Sequence, residues 1–427
     1  MRRSSIVGFT LALTASLTLS GCPGNEAKTP KKSGELRELS LGGHWLAANR
    51  AAINGVLATY GRGGAKWNGA HRPVATIDWD NTMMKNDLGD ATLFWMLRNE
   101  KILQPVRRNW QTTSKKLTYE GNALLNRACN GAADPGRPLA TAHVPACADA
   151  ILTAYLDGAT KDGAKIWTEE TTATTHQPYA WAAQIMAGYT ADEQREFAKA
   201  ALAEAKTKPL GTTFTVGTRA GLPASVQLYD EMKDLVGALQ DDGFEAWIVS
   251  ASPQTVVEVA AAEARVDRAH VIGIRTIIDD QLKATARLVG CATIPDGDDT
   301  IIPFSEGKRC WINRAVFELP PNAQLLRPTD PATRAVFAAG DSDGDVAMLQ
   351  DASALKLVLN RGRLQVMCNA YANAGNTWRV QPMFLGPAPR HVQPFPCAGA
   401  VDAKGDRLTE ESGAAIGDQF DSVYALP

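Results

Sequence analysis

Surplus positive charge is missing from this sequence: 44 Lys and Arg stand against 46 Asp and Glu, for a net charge of −2. With no strongly basic face or tail, a nucleic-acid partner is not expected. Histidine is scarce, at six residues, and no two have the spacing of a helical zinc site. No internal repeat or low-complexity block stands out, which sets aside repeat architectures. The apolar stretch Ile6 to Leu19 is diluted by Thr and Ser. It falls short of the roughly 20 residues that a bilayer span needs. What is present is 427 residues with 45% hydrophobic content, enough for a sizeable core and more than one domain.

Arg2 and Arg3 before that stretch make it a signal peptide, residues 1–21. It ends in Leu19-Ser20-Gly21-Cys22, which resembles the bacterial lipobox, where the cysteine thiol receives the lipid; a plain secretory signal is the alternative. The expectation is an exported bacterial lipoprotein, periplasmic or outer-membrane associated, held to the membrane through lipid on Cys22 and a flexible tether over residues 22–40. Six cysteines remain: Cys129, Cys147, Cys291, Cys310, Cys368 and Cys397. An even number suits disulfides in an oxidising compartment. Of the roughly 15 possible pairings, the sequence-local one, 129–147, 291–310 and 368–397, is expected.

Five short apolar runs read as strands: Val74–Ile77, Ala246–Val249, Val271–Ile274, Ala335–Ala338 and Leu355–Leu359. Helical patterns follow most of them, such as Thr255–Ala264 with Val256, Val259 and Ala260 on one face. The alternation predicts an α/β fold with a parallel sheet, and such sheets place their chemistry beyond the carboxyl ends of the strands. A long insert separates the first two strands and looks mostly helical, with helices expected at Ala91–Asn99, Pro145–Leu156, Ala180–Ala187 and Ala191–Ala205. Thr190 and Glu193 form a capping-box pattern before the last. The domains expected are a core over 41–82 and 241–374, a helical cap over 83–240, and an irregular extension over 375–427.

The first strand ends in Ile77-Asp78-Trp79-Asp80-Asn81-Thr82. Carboxylates two residues apart on an extended chain point to one side. One can attack phosphorus while the other handles the proton of the leaving oxygen. Their mutual repulsion asks for a cation. Asp-x-Asp alone also fits a polar turn, so the downstream residues matter. The second strand ends in Ser250-Ala251-Ser252, Glu306-Gly307-Lys308 precedes a helical run, and the fourth strand ends in Gly340-Asp341-Ser342-Asp343-Gly344-Asp345.

In this order and placement the motifs resemble those of the haloacid dehalogenase superfamily: Asp78/Asp80/Thr82, Ser250, Lys308 and Gly340/Asp341/Asp345. The resemblance covers roughly residues 40 to 365. It implies a Rossmann-like core, a cap between the first two motifs, and hydrolysis of a small phosphomonoester with Mg²⁺. Asp78 would form an aspartyl-phosphate, and Asp80 would protonate the leaving group and then activate water. Thr82, grouped with the phosphate-binding residues, would help order the loop, and Ser250 and Lys308 would hold phosphate, with Ser252 a rival to Ser250. Mg²⁺ would be bound by Asp78, the Asp80 carbonyl and Asp341, with Asp345 orienting Lys308 or meeting the metal's water shell. Within the superfamily the likeness is to phosphoserine and phosphorylcholine phosphatases, through Asn81 where many members have Gly. Asp87 and Asp90 would then meet a substrate ammonium group, and Phe94 and Trp95 could face it, though hydrophobic packing inside the cap is the expectation for at least one of the two. The other use of Asp90 is as a helix cap.

Other readings are open. Gly340-Asp341-Ser342-Asp343-Gly344 fits a nucleophile elbow with Ser342, whose later histidine would be His391. Asp341, Asp343 and Asp345 also alternate as in a calcium loop, but Gly344 is fourth and Ala352 twelfth where that loop wants Gly sixth and Glu twelfth. A binding lipoprotein of the same fold without activity is the third. Oligomeric state is not legible.

Overall fold

The computed structural model describes residues 36–424. The signal peptide, Cys22 and most of the tether lie outside the described residues. Six strands make the central sheet: β1 Val74–Ile77, β2 Glu245–Pro253, β3 Val271–Ile274, β4 Phe337–Gly340, β5 Leu355–Asn360 and β6 Trp378–Pro382. Their order is β6-β5-β4-β1-β2-β3, and every neighbouring pair is parallel. Side chains alternate between two apolar faces. Ile248, Phe337, Ala339, Leu357 and Leu359 join one core cluster, while Val249, Ala338 and Val358 join another. Burial on both faces is why these strands read as unbroken apolar runs.

Helices cover both faces. α1 Ala47–Tyr60 precedes β1. The insert holds α2 Leu88–Arg98, α3 Tyr119–Cys129, α4 Pro145–Leu152, α5 Gln177–Gln184 and α6 Ala191–Lys206. α7 Asp230–Asp241 leads into β2, α8 Gln254–Ala261 joins β2 to β3, and α9 Glu306–Ala315 precedes β4. α10 Val346–Asp351 joins β4 to β5, and α11 Leu364–Ala372 joins β5 to β6. This is the α/β, Rossmann-like arrangement expected. After β1 the chain winds outward on one side through β2 and β3, then returns to build β4, β5 and β6 on the other. The topological switch point, where such sheets hold ligands, lies between the ends of β1 and β4.

Several expectations shift. β6 lies inside the segment expected to be an irregular extension. Its Arg379 and Gln381 break the apolar run, and Pro382 ends it, as suits an edge strand. α7 packs on β2 rather than within the insert. The insert closes earlier, where Gln227–Leu228 pairs antiparallel with Met84–Lys85. It also contains α3 and a hairpin of Thr213–Val216 with Arg219–Pro223, neither of which was expected. The Thr190–Glu193 capping box is present, with Thr190 Oγ1 accepting from Glu193 N at 3.3 Å. Three disulfides, Cys129–Cys147, Cys291–Cys310 and Cys368–Cys397, tie α3 to α4, a loop to α9, and α11 to the C-terminal segment. Among the described residues no helix is long and apolar enough to cross a membrane.

Candidate active site

At the switch point Asp78, Asp341 and Asp345 are buried, and each offers a carboxylate oxygen within 4.8 Å of the others. Asp78 N donates to Ala339 O at 2.9 Å, which fixes the end of β1 against β4. The turn that follows needs a left-handed residue: Asn81 has φ 62°. Asn and Gly are the residues that enter this region most readily, so Asn can stand there in place of Gly. Its Oδ1 accepts from Asn86 N at 3.2 Å. Gly340 is required by close approach, because a Cβ there would meet the Asp345 side chain at 2.6 Å.

Lys308 sits among these acids. Ser305, at φ 51°, turns the chain sharply, and its N–H donates to Gly344 O at 2.8 Å, which sets α9 beside the turn after β4. A non-glycine residue held there costs on the order of 1–3 kcal/mol. Lys308 Nζ is 2.6 Å from Asp78 Oδ1, 2.7 Å from Asp345 Oδ1 and 2.6 Å from Val249 O. It donates to Asp78 and Val249 and is ion-paired with Asp345. Neighbouring Arg309 is turned away, onto Asp351 at 2.6 Å. Asp345 Oδ2 accepts from Asp341 N at 3.0 Å and Ser342 N at 2.9 Å. With both oxygens engaged, Asp345 orients Lys308 and the turn.

Thr82 Oγ1 lies 3.0 Å from both Asp78 Oδ2 and Asp341 Oδ1. Fully buried and outside the cavity lining, it ties the two carboxylates together; the expectation that it holds phosphate is corrected. The Asp80 carboxylate is not part of the buried trio but lines the same cavity. Its Oδ1 accepts from Leu88 N at 2.8 Å, and its Oδ2 accepts from Ser252 Oγ at 2.7 Å, with Ser250 Oγ at 3.4 Å. Both serines line the cavity, as does Lys308. Gly89 lets α2 approach them, since a Cβ there would meet Ser252 Oγ at 2.7 Å.

Above these groups opens a cavity of about 440 Å³. Asp87 and Asp90 line it, and Asp87 caps α2 by accepting from Asp90 N at 2.9 Å, so the cap is Asp87 rather than Asp90. Tyr155 OH donates to Asp90 Oδ1 at 2.7 Å. Phe94 and Trp95 do not line the cavity: Phe94 is buried in the core, and Trp95 stacks on Phe197 with centroids 5.9 Å apart. The aromatic rings that do line it are Tyr155, His176, Tyr179 and Phe304, which touch one another in sequence along one wall. These four were missed because their spacing forms no local pattern. Arg361 was missed too; its Nη1 donates to Asp341 Oδ2 at 2.9 Å. Its place just past the end of β5 was a usable signal.

Burial pushes Asp78 well above the usual carboxylate range, helped by Asp345 and Asp341 and opposed by Lys308. Burial works against the Lys308 charge, but Asp345 and Asp78 outweigh it and hold the ammonium form. Asp80 is raised by burial and by Asp87, which favours a carboxyl that can give up a proton. Asp90 is pushed up to about 8 by burial and by Asp87, while burial lowers His176 to about 4. The oxygen-only donor set of Asp78 and Asp341 fits a hard divalent cation, which would relieve the repulsion between them. Ser342 Oγ donates to Asp345 Oδ2 at 2.9 Å, and His391 stacks on Phe395 outside the cavity, so a serine–histidine pair is not assembled.

The family model of haloacid dehalogenase-like hydrolases matches residues 152–350, a stretch that contains Ser250, Lys308, Asp341 and Asp345. No curated protein matches the chain. Among solved structures, a functionally unknown protein from Anaerococcus prevotii is similar over 79% of this chain and 92% of its own, at 21% identity and a TM-score of 0.58. A protein of unknown function from Bordetella pertussis is similar at 17% identity over 73% of this chain and 98% of its own, with a TM-score of 0.41. A phospho-aspartyl intermediate analogue of phosphoserine phosphatase is similar at 11% identity over 67% of this chain and 86% of its own, with a TM-score of 0.31.

Proposed function

We propose that this chain is a haloacid dehalogenase-like hydrolase, in keeping with the family model matched over residues 152–350, and that it is a phosphomonoesterase working through an aspartyl-phosphate on Asp78. The observation that carries the reading is Lys308 Nζ, 2.6 Å from Asp78 Oδ1 and 2.7 Å from Asp345 Oδ1 at the floor of the cavity. A nucleophile is useful there only if a cation lies beside it to draw in the anionic group that it attacks. Asp78 Oδ attacks phosphorus as the bond from phosphorus to the ester oxygen breaks. Asp80, kept protonated by burial, gives its proton to that leaving oxygen. Asp80 then takes a proton from water, whose oxygen attacks phosphorus, releasing phosphate and restoring Asp78. Ser250 and Ser252 present hydroxyls to the phosphate oxygens.

Asp78, Asp341 and the carbonyl of Asp80 would hold Mg²⁺, which when bound neutralises charge on the phosphate and carboxylates. Asp87 and Asp90 at the wall favour an ester with an ammonium group, as in phosphocholine, phosphoethanolamine or phosphoserine. The protein is read as an exported lipoprotein anchored through Cys22, a compartment that suits its three disulfides. Turnover of p-nitrophenyl phosphate with and without Mg²⁺ tests the activity. Mg²⁺-dependent release of nitrophenol is expected; none at any Mg²⁺ concentration would leave a binding protein of this fold.

A further inference from the structure

Sheet and insert are not the sole builders of the cavity: Ala403, from the C-terminal segment, stands in its lining. Ala403 belongs to a hairpin whose ends, Val401 and Arg407, bridge each other. Asp402 N donates to Asp406 O at 2.8 Å, and Gly405 N to Asp402 O at 3.0 Å. The Asp402 carboxylate accepts from Lys404 N at 2.8 Å and Asp406 N at 3.0 Å, closing the loop on itself. The hairpin is fastened to the core at three points. Cys397, just before it, is bonded to Cys368 in α11. Gln365 Nε2 donates to Val401 O at 3.1 Å. Lys404 Nζ is 2.5 Å from Glu306 Oε1. Glu306 is the first residue of α9, the helix that carries Lys308. Ala403 itself is exposed, so core packing does not account for its position.

We propose that this hairpin is a fixed wall of the active site that confines the enzyme to small phosphomonoesters and shuts out phosphate borne on a polypeptide. The inference rests on the phosphatase reading. The cavity, at about 440 Å³, has room for one small molecule. A phosphoserine side chain is short, so its phosphate reaches the floor only if the peptide backbone enters the mouth that the hairpin rims. Glu306 joins this rim to the floor: its N–H donates to Ala173 O of the insert at 2.9 Å while its carboxylate holds Lys404. Insert and C-terminal segment thus meet at the first residue of α9.

The test compares kcat/KM for p-nitrophenyl phosphate, naphthyl phosphate and a phosphoserine peptide. The proteins are the wild type, Ala403→Trp, and a variant with residues 402–406 replaced by two glycines. The shortened hairpin is expected to raise the peptide's kcat/KM by about tenfold or more relative to p-nitrophenyl phosphate. Ala403→Trp, an exposed change that disturbs no packing, is expected to lower naphthyl phosphate turnover relative to p-nitrophenyl phosphate by about fivefold. If the shortened protein does not fold, as judged by circular dichroism, Ala403→Trp decides alone. Unchanged substrate ratios overturn the wall while leaving the phosphatase standing. No turnover of any ester by the wild type overturns both.

Discussion

At the floor of the cavity Lys308 donates to Asp78 and Val249 and is ion-paired with Asp345, and Arg361 reaches Asp341. At the wall the acids lack such a settled arrangement. Asp87 is spent on capping α2 and Asp90 on the Tyr155 hydroxyl, and the two carboxylates repel each other. The floor acids stand at strand ends or in the turns that follow them, and Lys308 stands on α9. The wall is built by the insert, the loop before α9 and the C-terminal hairpin, segments far apart in the chain. The difference separates two jobs. On the proposed function, groups that act on any phosphate would sit at the floor, and groups that choose among esters would sit on elements that can vary without disturbing the sheet.

Three substitutions sharpen that comparison. The largest effect is at the floor: Asp78→Asn should lower turnover of every ester by about 10³-fold or more, because an amide is a poor nucleophile toward phosphorus. At the wall, Asp87→Asn should leave glycerol phosphate turnover within about twofold. It should cut the preference for phosphocholine over glycerol phosphate by about tenfold. Steady-state kinetics on both esters reads the two together. If Asp87→Asn lowers both esters equally, the division between floor and wall fails.

The smallest effect concerns Asp90. Folded, it keeps its proton up to about pH 8, whereas an unfolded Asp loses it near about 3.9. Its contribution to stability is therefore whole below about pH 4. That contribution is lost as pH rises toward 8. Urea denaturation between these limits should show a shallower fall in stability for Asp90→Asn than for the wild type. Equal slopes would mean that Asp90 ionises in the fold as it does in water.

The same division decides what could be seen in the sequence. Asp78 and Asp80 were legible because a buried strand announces its own end, and two-residue spacing sends both side chains one way. The acids after β4 were legible for the same reason, and Lys308, on α9, through the order of the motifs along the chain. The spacing did not reveal that the Asp80 carboxylate is held by Ser252 Oγ and Leu88 N. β6 was hidden because its edge position admits Arg379 and Gln381. At the wall, helix α2 was expected, but its rotation was not. That is why Phe94 and Trp95, candidates for the ligand with packing as the alternative, both lie in packing while Tyr155 and Tyr179 line the cavity. The place of Ala403 depends on a disulfide and on an ion pair with Glu306, contacts between residues far apart in the chain.

The most direct measurement of the central claim is the site of covalent phosphorylation. The wild type is mixed with a phosphomonoester carrying labelled phosphate, quenched in acid within a turnover, digested and mapped. One hydroxylamine-sensitive label is predicted, on the peptide containing Asp78 and absent from Asp78→Asn. A label on Ser342, or turnover by Asp78→Asn at the wild-type rate, would contradict the account.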